Sequence, residues 1–455
     1  MEDTPPRAKR LFGTNGVRGE IGRDMHPDLV LRIGLALGSL RGGSIVVGMD
    51  TRTSGPALAS ALQAGLMASG CRVADAGVLP TPALQFAVGK HYDAGAMVTA
   101  SHNPPEYNGV KIIDADGTEM GDREIVLLED RIFSDRITTV AWNRVGTVSP
   151  ATHITEEYVK GVCSHFPEGQ GEGMTVVVDP GSGAGCATTP SIMAGLGCRV
   201  HTLNARMDGT FPGRDPEPAE EALAPLAEMV KATGASFGAA HDGDADRTVF
   251  VDEKGRFLEE NREFALIARH LTRNQRGTIV MPVSTSRLVE MVGRDAGCRV
   301  DYTPVGSIYV ARRMRDLQDA GTPVVMGGEG NGGLIFPDHQ FCRDGGMTAA
   351  MMVSLLAATG QPLSALADDL PMMTLIKEKI RTARARDAVV TLEQAFSGED
   401  LDRTDGIRLN RENAWALIRP SGTEPLLRIQ VEAEDPVRAG ALHREIRNLL
   451  KDAGI

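Results

Sequence analysis

The sequence has 455 residues, 42% hydrophobic and 24% charged, with a formal net charge of −12. That length suits three or four domains at roughly 100–200 residues each. The acidic balance argues against nucleic acid as the main partner, and no apolar run reaches the roughly 20 residues of a membrane span. The N-terminal MEDTPPRAKR has no apolar signal core, and six cysteines lie scattered with no CxxC. The expectation is a cytoplasmic chain with reduced thiols, no disulfide frame and no zinc site.

In chain order, FGTNGVRG (12–19) comes first and sets Arg18 among glycines; alone it reads equally well as a loop arginine. SIVVGMD (44–50) predicts a strand, TRTSGP a loop and ALASALQAGLMAS a helix. GCRV at 70–73 then supplies a glycine stop and the start of the next strand. GCRV returns at 197–200 and 297–300, after the apolar runs MTVVVDP (174–180) and TIVMPVS (278–284) and the loops GSGAGC and TSR. Strand–loop–helix–strand is the βαβ unit. The expected fold class is α/β, with three similar mixed α/β domains plus a smaller C-terminal α+β domain. One large sheet with coincidental echoes is the alternative. The linker-like VGTVSPATH and the changes near 254 and 367 place boundaries at 1–150, 151–254, 255–367 and 368–455.

Four stretches could carry chemistry. In TASHNPPEYNGVK (99–111) the strand-like GAMVTA hands the chain to a rigid polar loop with Ser101 at its tip, beside His102. Its prolines and Asn-Gly suit neither a helix interior nor a central strand, and the Asn-Gly turn is expected to return Lys111 toward Ser101. DGDADR (242–247) alternates Asp242, Asp244 and Asp246 between apolar flanks, a spacing that can aim three carboxylates at one hard cation. Strand-like flanks exclude an EF-hand, and a solvated acidic turn is the alternative. GGEGNGGLIFPDH (327–339) offers Glu329 and Asn331 for sugar hydroxyls, or is a glycine-rich turn. RPSGTEPLLR (419–428) brackets Ser421, Gly422 and Thr423 with Arg419 and Arg428, an anion cradle or an ordinary turn. There is no GxSxG elbow, no Walker A lysine and no convincing GxGxxG after the first strand. The simplest common ligand is a phosphorylated sugar, with the serine exchanging a phosphoryl group and a cation neutralising charge.

These four stretches, in this order, resemble the phosphoserine, metal, sugar and phosphate loops of the α-D-phosphohexomutases, and DTRTSG (50–55) and DGTFPGRDPEP (208–218) extend the likeness. It covers essentially the whole chain. The resemblance implies domains arranged around a central cleft. It also implies a phosphoenzyme at Ser101 that interconverts hexose 1- and 6-phosphates through a hexose 1,6-bisphosphate, which is both intermediate and activator. It further implies one Mg²⁺ on Asp242, Asp244 and Asp246, with a phosphoserine oxygen at Ser101 completing the shell. Lys111 would be the general acid/base, because Arg18, with a pKa above about 12, suits charge stabilisation better. His102 would orient the nucleophile, and Arg247 would approach the phosphoryl group. Glu329 and Asn331 would hold the 3- and 4-hydroxyls, while Arg419, Ser421, Gly422, Thr423 and Arg428 grip the idle phosphate.

LFGTNGVRG resembles the phosphoglucosamine mutase branch of that family. The sugar loop departs from the common bacterial GEQSGH, with Asn331 for serine and Gly333 for histidine, and looks more like the archaeal branch. Glucosamine phosphate is therefore the expected substrate, with a broad phosphomannomutase/phosphoglucomutase as the alternative and a metal-dependent sugar phosphatase behind it. A monomer or homodimer is expected.

Overall fold

The computed structural model describes residues 9–134, 136–421 and 425–455. They divide into two compact units, one reaching Glu263 and including Asn331–Ala365, the other Phe264–Gly330 with Leu366–Ile455. Among the described residues, no helix is long and apolar enough to cross a membrane.

The first unit carries two mixed sheets. One has the order Val17–Glu20, Tyr107–Asp114, Ala94–Val98, Ser44–Met49, Arg72–Val78, Val148–Pro150. The other runs Phe257–Leu258, Thr248–Asp252, Phe237–His241, Thr175–Asp179, Arg199–Thr202. The repeated tetrapeptide has the expected mechanics. Gly70, Gly197 and Gly297 all sit at positive φ (88°, 92° and 74°), the left-handed backbone that glycine adopts without steric cost. Each is followed by a strand that pairs in parallel with the strand opening its repeat: Arg72–Val78 on Ser44–Met49, Arg199–Thr202 on Thr175–Asp179, and Arg299–Thr303 on Thr278–Pro282.

One expectation fails. Asn108 and Gly109 do not make a turn; they lie inside Tyr107–Asp114, an interior strand paired antiparallel on both sides. A Cβ on Gly109 would fall 2.1 Å from the carbonyl oxygen of Val17, so this glycine admits a neighbouring strand. Lys111 reaches the site along that strand, opposite Met97.

In the second unit, Arg299–Thr303, Thr278–Pro282 and Val324–Glu329 lie side by side in parallel. A separate antiparallel sheet runs Thr374–Arg381, Leu426–Ala433, Ala414–Pro420, Ile407–Arg411, Asp400–Asp402. Its apolar face meets the helices Ala385–Ala395 and Pro436–Asp452 through Leu392, Leu442, Ile446 and Leu450. This is the expected α+β element.

Candidate active site

Ser101 lies in the loop after strand Ala94–Val98 and is buried at φ 53°, a strained conformation for serine. The strain persists because the loop around it is tied down. The guanidinium of buried Arg52 donates to four loop carbonyls: Ser101 (2.8 Å), Asn103 (2.6 Å), Pro104 (2.5 Å) and Tyr107 (2.9 Å). Its Nε donates to Asp50 Oδ2 at 3.0 Å. That oxygen also accepts the Thr99 hydroxyl, which in turn accepts the Ser101 amide at 2.8 Å. One arginine thus satisfies the polar backbone of a loop that could not otherwise be buried.

The three aspartates lie on the turn between strands Phe237–His241 and Thr248–Asp252, all buried, with one carboxylate oxygen from each within 4.8 Å of the others. Asp244 and Asp246 each have one oxygen hydrogen-bonded by the protein, and Asp242 has both, its Oδ1 accepting the Arg247 amide at 3.2 Å. Asp242 Oδ2 accepts Ser101 Oγ at 2.8 Å and Arg247 Nε at 3.3 Å. Asp244 Oδ2 accepts Lys111 Nζ at 2.6 Å and Thr81 Oγ1 at 2.6 Å. Asp246 Oδ2 accepts Arg343 Nη2 at 2.6 Å and Lys111 Nζ at 3.0 Å. Asp244 Oδ1 and Asp246 Oδ1 are buried with no hydrogen-bond partner. Buried orphan carboxylate oxygens are costly unless something cationic meets them. The donor set is all oxygen, so these residues fit a hard divalent cation.

The charges follow from this packing. Burial works against the Lys111 ammonium, but Asp244 and Asp246 outweigh it and hold its pKa above the usual lysine range. Burial would raise Asp246, yet Arg343, Lys111 and Arg247 pull it below the usual range. Asp242 goes the other way, pushed up to about 7 by burial and then by Asp246. His102 is lowered to about 4, by burial and then by Arg247, so its ring is neutral. His102 Nδ1 faces both Ser101 Oγ (3.3 Å) and Glu217 Oε2 (3.8 Å). A Ser-His-acid relay uses opposite ring nitrogens, so this is not one. Glu217 instead clasps Arg247 through two bonds of 3.1 Å, closing a ring of Ser101, Asp242, Arg247, Glu217 and His102. Arg18 donates to Asn103 Oδ1 at 3.0 Å, while its buried Nε and Nη2 have no hydrogen-bond partner.

Ser101, His102, Lys111, Arg18, Asp242, Asp244, Asp246 and Arg247 are thus brought together within the first unit. Asn331, also in that unit, accepts the Gly333 amide on Oδ1 at 3.2 Å. The remaining candidates belong to the second unit. Glu329 ends strand Val324–Glu329 and is buried. Arg419 and Arg428 face each other across the ladder, and Lys379 stands opposite Arg428 on the next strand. Arg419 also donates to Asp405 Oδ2 at 3.1 Å, and the Ser421 amide donates to the Leu426 carbonyl at 2.8 Å. Gly422 and Thr423 lie outside the described residues.

Sequence reasoning missed Arg52, Arg214, Glu217, Arg343 and Thr81 as working residues. Arg52 and Arg214 each pair with an aspartate at the end of a repeat's first strand, Asp50 just after Ser44–Met49 and Asp179 closing Thr175–Asp179. DTRTSG and FPGRDPEP held that signal. Nothing local marks Arg343 or Thr81.

Four family models match in chain order. They are phosphoglucomutase/phosphomannomutase alpha/beta/alpha domains I (residues 9–138), II (156–255) and III (259–373), and the C-terminal domain (376–449). A Thermococcus kodakarensis protein described as a phosphoglucomutase/phosphomannomutase is 41% identical, covering 94% of this chain and 96% of its own. A probable phosphoglucosamine mutase of Methanopyrus kandleri is 40% identical over 97% and 98%. A phosphoglucosamine/phosphogalactosamine mutase of Sulfurisphaera tokodaii is 36% identical over 97% and 99%. Among solved structures, a phosphoglucomutase/phosphomannomutase family protein of Burkholderia thailandensis superposes with a TM-score of 0.87 at 29% identity, covering 98% of each chain. The chain belongs to the phosphoglucomutase/phosphomannomutase family of phosphohexomutases.

Proposed function

We propose that this chain interconverts glucosamine 6-phosphate and glucosamine 1-phosphate through a phosphoserine at Ser101 and a hexose 1,6-bisphosphate. The observation that carries the reading is a buried serine hydroxyl, fixed by its loop, 2.8 Å from the first of three clustered carboxylates. The bond from Ser101 Oγ to phosphorus breaks while a sugar hydroxyl oxygen bonds to that phosphorus. The hydroxyl gives up a proton, and one returns to Oγ. Lys111, bonded to Asp244 and Asp246 in the site, is the candidate general acid/base for these proton transfers. Arg18 has two buried donors without a protein partner, which suits the phosphoryl charge. His102, neutral, orients the loop face beside Oγ.

Asp242, Asp244 and Asp246, with a phosphoserine oxygen, would hold one Mg²⁺, and a bound Mg²⁺ neutralises charge on the transferring phosphoryl group. Arg247, itself clasped by Glu217, would present its charge to the same group. Glu329 and Asn331 would read the sugar 3- and 4-hydroxyls. Arg419 and Arg428 stand directly opposite on paired strands, with Asp405 3.1 Å from Arg419. With Ser421, Gly422 and Thr423 they would grip the idle phosphate, and a hexose 1,6-bisphosphate would prime Ser101.

The glucosamine reading is supported by the opening LFGTNGVRG and by relatives described as phosphoglucosamine mutases. A broad phosphomannomutase/phosphoglucomutase is the second reading, favoured by the description of the Thermococcus kodakarensis relative. Assays of the purified chain with glucosamine, mannose and glucose 6-phosphates separate the two. A clear preference in kcat/KM for glucosamine 6-phosphate is expected, and equal turnover of all three would sink the single-substrate reading. Release of inorganic phosphate with no 1-phosphate isomer would make the chain a phosphatase.

A further inference from the structure

Arg343 reaches the metal loop from a short hairpin. It bridges to Ile335, and the next residue, Asp344, donates its amide to the Leu334 carbonyl at 2.9 Å. Asp344 then caps helix Gly345–Thr359 by accepting the Met347 amide at 2.9 Å. The backbone that launches Arg343 is therefore pinned on both sides.

The guanidinium, 6% exposed, donates to Asp246 Oδ2 at 2.6 Å. Lys111 donates to the same oxygen, while Asp246 Oδ1 is buried with no hydrogen bond, Arg247 Nε lying 3.9 Å from it. A carboxylate tied twice through one oxygen is restrained from rotating, so the other oxygen keeps one direction. The path of Arg343 also depends on a glycine. An ideal Cβ on Gly333 would lie 2.4 Å from Arg343 Cδ and 3.1 Å from Cγ. Gly333 is absent from the positive-φ positions, so an alanine there changes side-chain space and not backbone conformation.

We propose that Arg343 is a positioning residue for the cation site, holding Asp246 so that Oδ1 faces the ion, and that residue 333 is glycine to let Arg343 through. This rests on the reading of Asp242, Asp244 and Asp246 as cation ligands. Groups that hydrogen-bond a ligating carboxylate commonly change metal affinity by about 10–100-fold when altered. The alternative role is charge balance, in which Arg343 only offsets the aspartates; its removal would then tighten the site.

Mn²⁺ titration of the full chain, followed by electron paramagnetic resonance of the free ion, separates these roles without reading activity. Arg343→Lys keeps the charge but loses the guanidinium fork, and is expected to bind about tenfold more weakly than wild type. Gly333→Ala, which displaces the intact arginine, is expected to weaken binding in the same direction. The double variant is expected to be no weaker than Arg343→Lys alone, and both single variants to keep the wild-type circular dichroism spectrum. Wild type that binds no Mn²⁺ overturns the cation reading and this inference together. Wild type that binds, with Arg343→Lys unchanged or tighter, overturns the inference alone. Additive losses in the double variant overturn the link between Gly333 and Arg343.

Discussion

Arg52 takes four carbonyls of the serine loop, whereas Arg214, its counterpart in the second repeat, takes only the His241 carbonyl at the base of the metal loop. The remaining Arg214 bonds go to Asp179 and to the Asp215 carbonyl. Beyond that base, the metal loop gives its carbonyls of Gly243, Asp244 and Ala245 to the amides of Ala184, Thr81 and Gly345, and its aspartates are in addition held by the charged side chains of Lys111, Arg247 and Arg343. The serine loop is thus secured through its backbone, which leaves Ser101 Oγ and the His102 ring for chemistry. The metal loop is secured through its backbone and also through the carboxylates that would do its chemistry. A cation arriving there joins an existing charge balance, while the serine loop has no such dependence. The third repeat has no such aspartate: its opening strand ends at Pro282 and Val283 follows, whereas Asp50 follows Ser44–Met49 and Asp179 closes Thr175–Asp179.

The largest expected effect concerns what the serine loop presents. Ser101→Ala should lower mutase turnover by at least ~10⁴-fold, since a nucleophile has no substitute. Intact-mass measurement should lose the single phosphate of about 80 Da. Activity that survives without phosphate at Ser101 would end the phosphoenzyme reading.

Lys111→Met tests the charge-held loop. It leaves Asp244 and Asp246 buried without their ammonium, and should cost about 3–5 kcal/mol in urea unfolding. Added Mg²⁺ should recover part of that loss, because a cation replaces the missing charge. A loss that Mg²⁺ does not touch would mean the lysine acts through packing.

Arg52→Lys tests the backbone-held loop. One ammonium cannot replace a fork bonded to four carbonyls, and kcat should fall roughly 100-fold from misplacement of the serine alone. Mn²⁺ affinity should stay at the wild-type value. If it falls as well, the two loops are one unit and the contrast between them is wrong.

The smallest effect lies outside both loops. Glu263 is fully buried with no partner on either carboxyl oxygen, and burial, aided by Glu260 and Glu259, pushes its carboxyl well above the usual range. A raised acid keeps its proton in the folded state while the unfolded chain releases it above about pH 4.3. Its contribution therefore declines as pH rises from there. Glu263→Gln should gain about 1–3 kcal/mol at pH 8 and little at pH 4, with activity and Mn²⁺ binding unchanged. Equal gains at both pH values would show that ionisation is not the cause.

Much of this site was legible before folding, because its parts are local. Asp242, Asp244 and Asp246 alternate within six residues, and Ser101 follows a strand directly. The Asn-Gly pair misled for an instructive reason. As a dipeptide it signals a turn, yet Gly109 serves the close approach of Val17, 92 residues earlier in the chain. The glycine at 333 was visible as a departure from a common loop, but its local reason, the passage of Arg343, was not.

By itself the sequence determined the repeat, the strands and helix stops that build it, and which residues are proposed to react, since these depend on short spacings and residue chemistry. Only the tertiary structure decided what holds those groups. Arg52, Arg214 and Glu217 stand in stretches the sequence singled out, yet neither their partners nor those of Arg343 are marked locally, because a long charged side chain is compatible with almost any solvated surface. Burial forces each to find partners, and those partners come from wherever the fold brings a carbonyl or a carboxylate within reach. The same constraint decided that Lys111 arrives on a strand and not by a turn, and that it is held there as a cation between Asp244 and Asp246.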